Sequence, residues 1–153
     1  MRRPTEKGFV LIAMSAAMFL LLAVIGMVFD LGRVYITRNE AQVFTDAASM
    51  AAAQQLDGTP AGLARARAAV AALPNHWNLG TKDFEGVVVE FSADNEHWKP
   101  EPAADELPSL RYARVTAPGN HVEIMFLRAV GGPETLTVPA RAVASTGLVR
   151  LTQ

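Results

Sequence analysis

The hydrophobic residues of the chain are concentrated in one run near its N-terminus. Residues 9–29 form FVLIAMSAAMFLLLAVIGMVF, which holds no ionisable side chain. A helix rises about 1.5 Å per residue, so this run would span about 31 Å, close to the hydrocarbon thickness of a bilayer. The pattern therefore predicts a transmembrane helix.

The helical pattern continues beyond the apolar run. Residues 30–56 hold no proline and a single glycine, Gly32, whereas Asp57, Gly58 and Pro60 supply a stop. We therefore predict one helix over residues 9–56, about 72 Å long at 1.5 Å per residue. Its second half carries an apolar stripe with helical spacing. The members of this stripe are Leu31, Val34, Tyr35, Ala41, Phe44, Ala48, Ala51 and Ala52.

The stripe needs a partner, and two kinds of partner fit its spacing. One is the chain's own globular part, and the other is a set of helices from other subunits in an assembly. The sequence leaves both open.

The remaining residues predict a short helix followed by strands. Thr59 as N-cap, Pro60 in the first turn and Pro74 as terminator indicate a helix over residues 60–73. Alternation of apolar and polar residues then predicts strands over 87–91, 110–117 and 136–145. The fold class is α+β, with a long N-terminal helix, a short helix and a small antiparallel sheet of three to four strands.

Two details of the sheet rest on prolines and glycines. Pro118-Gly119-Asn120 predicts the end of the second strand, and Pro139 predicts an edge position for the last one. Residues 121–132 fit either a strand or a short helix capped by Gly131-Gly132, and we favour the helix.

Charges beside the apolar run predict its orientation. Arg2, Arg3 and Lys7 precede it, which keeps the N-terminus in the cytoplasm. We therefore divide the chain into a cytoplasmic basic leader (1–8), a transmembrane helix (9–29), an exported continuation of that helix (30–56) and a small exported α+β domain (57–153). A cleaved signal peptide is the alternative, but the apolar run is longer than a signal sequence needs.

Composition argues against nucleic-acid binding and against sites that need cysteine. The net charge is −1 and the basic residues are dispersed, which does not favour nucleic-acid binding. Cysteine is absent, so neither disulfides nor a cysteine metal site stabilises the exported domain. Self-association becomes more plausible as a source of stability.

No set of residues predicts catalysis, a cofactor or a small-molecule substrate. His76, His97 and His121 have no second ligand at metal-binding spacing, and we interpret them as surface or packing residues. The acidic segment around Asp94 and Glu96 lacks the spacing of a calcium loop, so we interpret it as a solvated surface loop. We therefore expect a protein that is not an enzyme.

Two stretches resemble a known family. The basic N-terminus with its apolar run leads into FDLGRVYITRNEAQVFTDAASMAAA (29–53), and LTVPARAVAS (136–145) follows near the C-terminus. This arrangement resembles the TadE/TadG-like proteins of Tad (Flp) pilus systems. The matching residues are Asp30, Leu31, Gly32, Arg33, Asp46, Ala47, Ala48 and Ala51 to Ala53.

The resemblance implies a single-span protein of the bacterial inner membrane that helps to build or anchor the pilus. Its C-terminal domain would be periplasmic or extracellular, and its partners would be membrane lipid, other Tad proteins, pilin subunits or further copies of itself. The residues expected to serve helix packing and assembly are Asp30, Gly32, Arg33, Tyr35, Phe44, Asp46, Ala48 and Ala51.

The N-terminus also resembles the processing site of type IV pilins. KGFVLI (7–12) would be cleaved between Gly8 and Phe9, yet the glutamate that pilins carry five residues after the glycine is replaced here by Ala13. The main hypothesis is therefore an unprocessed membrane anchor. The alternative is a pilin-like subunit, cleaved after Gly8 and polymerised into an extracellular filament with the apolar helix as its core.

Overall fold

The computed structural model describes residues 6–147, with side chains described from Gly8 onward. Arg2 and Arg3 of the predicted cytoplasmic leader lie outside the described residues. The fold within this range is α+β, as the sequence predicts.

One uninterrupted helix, α1 (Glu6–Gln54), forms the N-terminal third of the chain. It begins before the predicted start and ends two residues before the predicted Leu56. A second helix, α2 (Pro60–Ala71), follows after a short turn. The hydroxyl of Thr59 accepts a hydrogen bond from the backbone N–H of Gly62 at 3.0 Å, which confirms Thr59 as the N-cap.

Residues 6–147 contain five strands in two sheets. The short strands β1 (His76–Trp77) and β2 (Lys82–Asp83) pair with each other, and neither was predicted from the sequence. The larger sheet has the order β3 (Val88–Ser92), β4 (Tyr112–Glu123) and β5 (Thr135–Ser145). The antiparallel register of β3 and β4 pairs Val88 with Thr116 and Ser92 with Tyr112.

The predicted end of the second strand at Pro118 is wrong, because β4 continues to Glu123. Pro118 lies beyond Thr116, the last residue of β4 that pairs with β3, so its missing N–H does not interrupt that ladder. The buried positions change from odd to even numbers around Pro118 and Gly119, as expected where a bulge adds one residue to a strand.

The helix predicted over residues 121–132 is mostly wrong. Residues 121–123 belong to β4, and only Leu127–Val130 form a single 3₁₀ turn. Gly131 ends this turn in the left-handed conformation with φ 88°, so the predicted glycine cap is present. Apolar residues at 122 and 124 are both buried, which is the period of a strand and not of a helix.

Residue contacts divide the chain into two compact units. One contains residues up to Tyr35 together with His121–Leu136, and the other contains Ile36–Asn120 together with residues from Thr137 onward. In the second unit Ala41, Ala48 and Ala52 are fully buried, so its core includes one face of α1. Phe44 stacks on Phe84 with ring centroids 4.8 Å apart.

Candidate functional site

The first half of α1 has the properties of a membrane span. The helix is long and apolar enough to cross a bilayer, and no residue of its most apolar 18-residue window is buried. An apolar helix surface without protein cover is unfavourable in water and favourable in lipid. Length, composition and exposure therefore all indicate membrane association.

The carboxylate of Asp30 holds a loop against this helix. We use the name β4–β5 loop for residues 124–134, which connect the two longest strands. Asp30 accepts hydrogen bonds from the backbone N–H groups of Met125 at 3.1 Å, Phe126 at 2.8 Å and Leu127 at 2.7 Å. Its side chain is 1% exposed. A buried carboxylate requires such partners, and here consecutive amides of the same chain supply them.

Arg33 acts on the same loop region from the next turn of α1. Its guanidinium donates a hydrogen bond to the carbonyl oxygen of Glu123 at 3.1 Å, directly before the β4–β5 loop. Both side chains therefore bind the backbone of residues 123–127. The Asp30 carboxylate accepts from its N–H groups, and the Arg33 guanidinium donates to one of its carbonyl oxygens. This is a more specific role for both residues than the helix packing and assembly that the resemblance implied.

Gly26 lets the loop approach the helix closely. A Cβ atom placed on Gly26 would lie 2.5 Å from the Cβ of Phe126, which is too close for any side chain. Phe126 also contacts Phe29 edge to face, with ring centroids 5.6 Å apart. One face of α1 thus contacts residues 123–127, and we call it the clamp face. Its members are Gly26, Phe29, Asp30 and Arg33.

A second acid of α1 holds another loop in the same manner. The carboxylate of Glu40 accepts N–H hydrogen bonds from Asn78 at 2.7 Å and Leu79 at 3.2 Å. Both residues have positive φ angles, of 53° and 60°. This conformation is unfavourable for residues other than glycine, so the hydrogen bonds to Glu40 stabilise a strained turn between β1 and β2.

The other residues predicted to serve packing lie in different environments. Phe44 and Ala48 are buried in the core of their own unit, and Ala51 is half-buried. Tyr35 is exposed, and Asp46 accepts a hydrogen bond from Gln42 at 2.8 Å. Gly32 has open space around it, unlike Gly26. Of the predicted set, only Asp30 and Arg33 belong to the clamp face.

The predicted processing site lies on a regular part of α1. The helix runs through Gly8 and Phe9, and Phe9 is exposed. Apart from the neighbouring residues and the backbone of the helix itself, no described atom lies within 4 Å of the position that a Cβ on Gly8 would take.

The acidic segment forms a surface loop closed by Asp94. Asp94 accepts hydrogen bonds from the backbone N–H groups of Glu96 and His97 and from the ring of His97. Asp94, Glu96 and His97 could each offer one metal ligand atom within 4.8 Å of the others, and all three are exposed. Since the Asp94 carboxylate already serves its own loop, the cluster is explained without an ion.

A cleft of about 300 Å³ beside this loop shows no catalytic arrangement. Of its charged groups, His97 pairs with Asp94, and Lys99 pairs with Glu106. The three histidines are exposed. Trp77 is buried and stacks on Phe84. The guanidinium carbon of Arg114 lies over the ring of Trp98, 4.3 Å from the ring centroid.

The sequence did not predict the loop contacts of Gly26 or those of Glu40. Glycine is common in apolar spans, so Gly26 gave no distinct signal. Glu40 lies outside the predicted apolar stripe. The partners of Asp30 lie about 95 positions away, as the hydrogen bond to Met125 shows, and periodicity carries no information at that separation.

A comparison with known protein families gives a match in the N-terminal part of the chain. Residues 8–55 match a family model described as Tad, putative Flp pilus-assembly TadE/G-like. Searches of curated proteins and of solved structures find no significant match.

The matched residues cover α1 almost entirely and include the clamp face. The family is a structural or assembly component and not a known enzyme family. The resemblance predicted from the sequence is therefore confirmed over residues 8–55, and this match supports a role connected with the Tad/Flp pilus.

Proposed function

We propose that this protein is a single-span, membrane-anchored structural component of Tad/Flp pilus assembly. Its N-terminus lies in the cytoplasm, residues 9–29 cross the inner membrane, and the part from Asp30 onward lies outside. One observation carries the proposal: the Tad family match coincides with α1, whose most apolar window contains no buried residue. An uncovered apolar helix and a pilus-assembly family point to the same place in the cell.

The protein acts by helix packing through an exposed stripe of α1. Ile36, Val43 and Met50 are all exposed and lie seven residues apart. Apolar residues at seven-residue intervals are typical of helices that pack along one another. The partner is a helix of another pilus-assembly protein, a pilin or a second copy.

The burial of Phe44 and Ala48 refines which residues make this contact. Their packing requirement is met inside their own unit, so they hold α1 to its domain. The stripe of Ile36, Val43 and Met50 remains available to other subunits. The clamp face then serves to fix the β4–β5 loop beside the end of the span.

A pair of adjacent substitutions tests this stripe. Val43→Lys places a charge in the stripe, whereas Gln42→Lys places the same side chain at an exposed residue outside it and keeps a donor toward Asp46. We expect Val43→Lys to abolish piliation and cross-linking to partner helices, while Gln42→Lys leaves both near the normal level. Equal piliation in the two variants would exclude the stripe from assembly.

The exposed Gly8 and Phe9 support a second candidate, a pilin-like subunit cleaved between them. The native N-terminus separates the two functions. Mass spectrometry of the protein from membrane and pilus fractions should find a chain that begins at Met1 in the membrane. A chain that begins at Phe9 and is recovered from filaments would establish the pilin-like function instead.

A further inference from the structure

We propose that the β4–β5 loop is a second membrane-contacting element, which enters the lipid interface beside the span. The inference rests on the proposed function, because it requires α1 to cross a bilayer. It goes beyond that function by assigning a lipid contact to the loop, which lies almost a hundred residues after the predicted span in the sequence.

The loop exposes an apolar surface that no described residue covers. Met125 is 57% exposed, Phe126 48% and Val130 54%. Scattered apolar residues are normal on protein surfaces, but three large ones within six consecutive residues form a patch. The patch is continuous with the exposed apolar surface of the helix, since Phe126 contacts Gly26 and Phe29.

The contacts of Phe126 determine the depth of the loop. Gly26 lies three residues before the end of the predicted span, which corresponds to about 4–5 Å along the helix axis. Phe126 therefore lies level with the last turn of the span. Aromatic side chains are enriched at this level of membrane proteins, where the hydrocarbon meets the headgroups.

The backbone of the loop meets the main requirement for entering lipid. A polar backbone group without a partner is costly in the absence of water. Three N–H groups donate to the Asp30 carboxylate, namely those of Met125, Phe126 and Leu127. Four others donate to carbonyl oxygens within the loop, namely those of Ile124, Ala129, Gly131 and Gly132.

The charges of the loop fit a headgroup layer. The loop holds two ionisable side chains, Arg128 and Glu134, which pair with each other at 2.7 Å, and Arg128 is exposed. An arginine at the edge of an apolar patch can extend its guanidinium to lipid phosphates while its carbon chain stays in the apolar layer.

Site-specific fluorescence in lipid vesicles tests the inference, and the absence of native cysteine simplifies it. The full-length protein with one introduced cysteine is labelled with an environment-sensitive dye and reconstituted with lipids that carry a quencher on the acyl chain. Test positions are Met125→Cys and Val130→Cys. Leu21→Cys reports the span, and the exposed Leu79→Cys and Val143→Cys report the other unit.

We expect quenching and blue-shifted emission at positions 125 and 130, approaching the values at position 21, with neither effect at 79 or 143. Aqueous signals at 125 and 130 with a lipid signal at 21 would overturn the inference and leave the anchor intact. Labels at 125 and 130 shielded from both water and quencher would indicate a protein partner and also overturn it. An aqueous signal at 21 would overturn the proposed function itself.

Discussion

Gly26 and Gly32 occupy the same helix but differ in their surroundings. Gly26 faces Phe126 without room for a methyl group, whereas the space around Gly32 is open. Glycine lowers helix stability by about 0.5–1 kcal/mol relative to alanine, whether or not the site requires it. Gly26 is needed for the approach of the β4–β5 loop.

Alanine substitutions at the two glycines should therefore have opposite effects. Gly26→Ala should displace Phe126 and weaken the hydrogen bonds to Asp30, so that the amides of residues 125–127 exchange faster with deuterium. Gly32→Ala should leave that exchange unchanged and stabilise the helix by about 0.5–1 kcal/mol. Hydrogen exchange with mass spectrometry of the full-length protein measures both. Equal exchange in the two variants would contradict the clamp face.

The ion pair of His97 and Asp94 makes one surface loop sensitive to pH. The hydrogen bond and the charge of Asp94 raise the pKa of His97 above its ordinary 6.5. Hydrogen bonds from the backbone N–H and the ring of His97, from the N–H of Glu96 and from the Ser92 hydroxyl lower the pKa of Asp94. The raised pKa stabilises the folded loop below pH 6.5, and this effect is lost as the pH rises through the folded value. The lowered pKa of Asp94 stabilises the folded loop at pH values above the ordinary pKa of an aspartate. This stabilisation is lost as the pH falls through the pKa of Asp94 in the folded protein.

We expect an NMR titration to give His97 a pKa above 6.5, and Asp94→Asn to return it to the ordinary value. The matched control is Asp105→Asn, which removes an exposed carboxylate elsewhere in the acidic segment. An unshifted His97 pKa in the unmodified protein, or the same change in both variants, would show that Asp94 does not hold the ring.

At the scale of elements, α1 has two different tasks along its length. Its first half exposes apolar side chains, while the residues from Ala41 to Ala53 bury one face in the core of the second unit. The buried face contains Ala41, Ala48 and Ala52, which are small enough for close packing. The sequence predicted the stripe but left its partner open, and burial assigns Ala48 to the chain's own core.

Enlarging a core alanine should therefore affect folding before it affects assembly. Ala48→Leu should lower the free energy of unfolding by about 1–3 kcal/mol, because a fully packed site has no room for three more carbon atoms. Ala64→Leu on the exposed side of α2 should change it by less than about 0.5 kcal/mol. Denaturant unfolding followed by the fluorescence of the buried Trp77 measures both, and equal stabilities would contradict this packing.

The strands show which local signals predict structure and which do not. β5 has the clearest alternation and was predicted over almost its whole length, including the edge position of Pro139. β4 was predicted only to residue 117, because proline and glycine usually end a strand. Its continuation depends on pairing with distant residues, which overrides the local signal.

At the scale of the whole molecule, the sequence predicted the long apolar helix and the resemblance to the Tad family better than the contacts that this helix makes. The apolar run and the DLGR segment (30–33) are local features, and the family match over residues 8–55 confirms the resemblance. The roles of Gly26, Asp30 and Glu40 depend on loops far away in the chain. Spacing along a single helix cannot reveal such partners.

The most direct test of the account is the topology of the protein in its membrane. Single cysteines at Thr5 and Leu79 are exposed to a membrane-impermeant maleimide in spheroplasts that contain the full-length protein. The account predicts that Leu79→Cys is labelled in intact spheroplasts and that Thr5→Cys is labelled only after permeabilisation. Labelling in the opposite order, or recovery of the protein outside the membrane fraction, would contradict a single-span anchor with an exported domain.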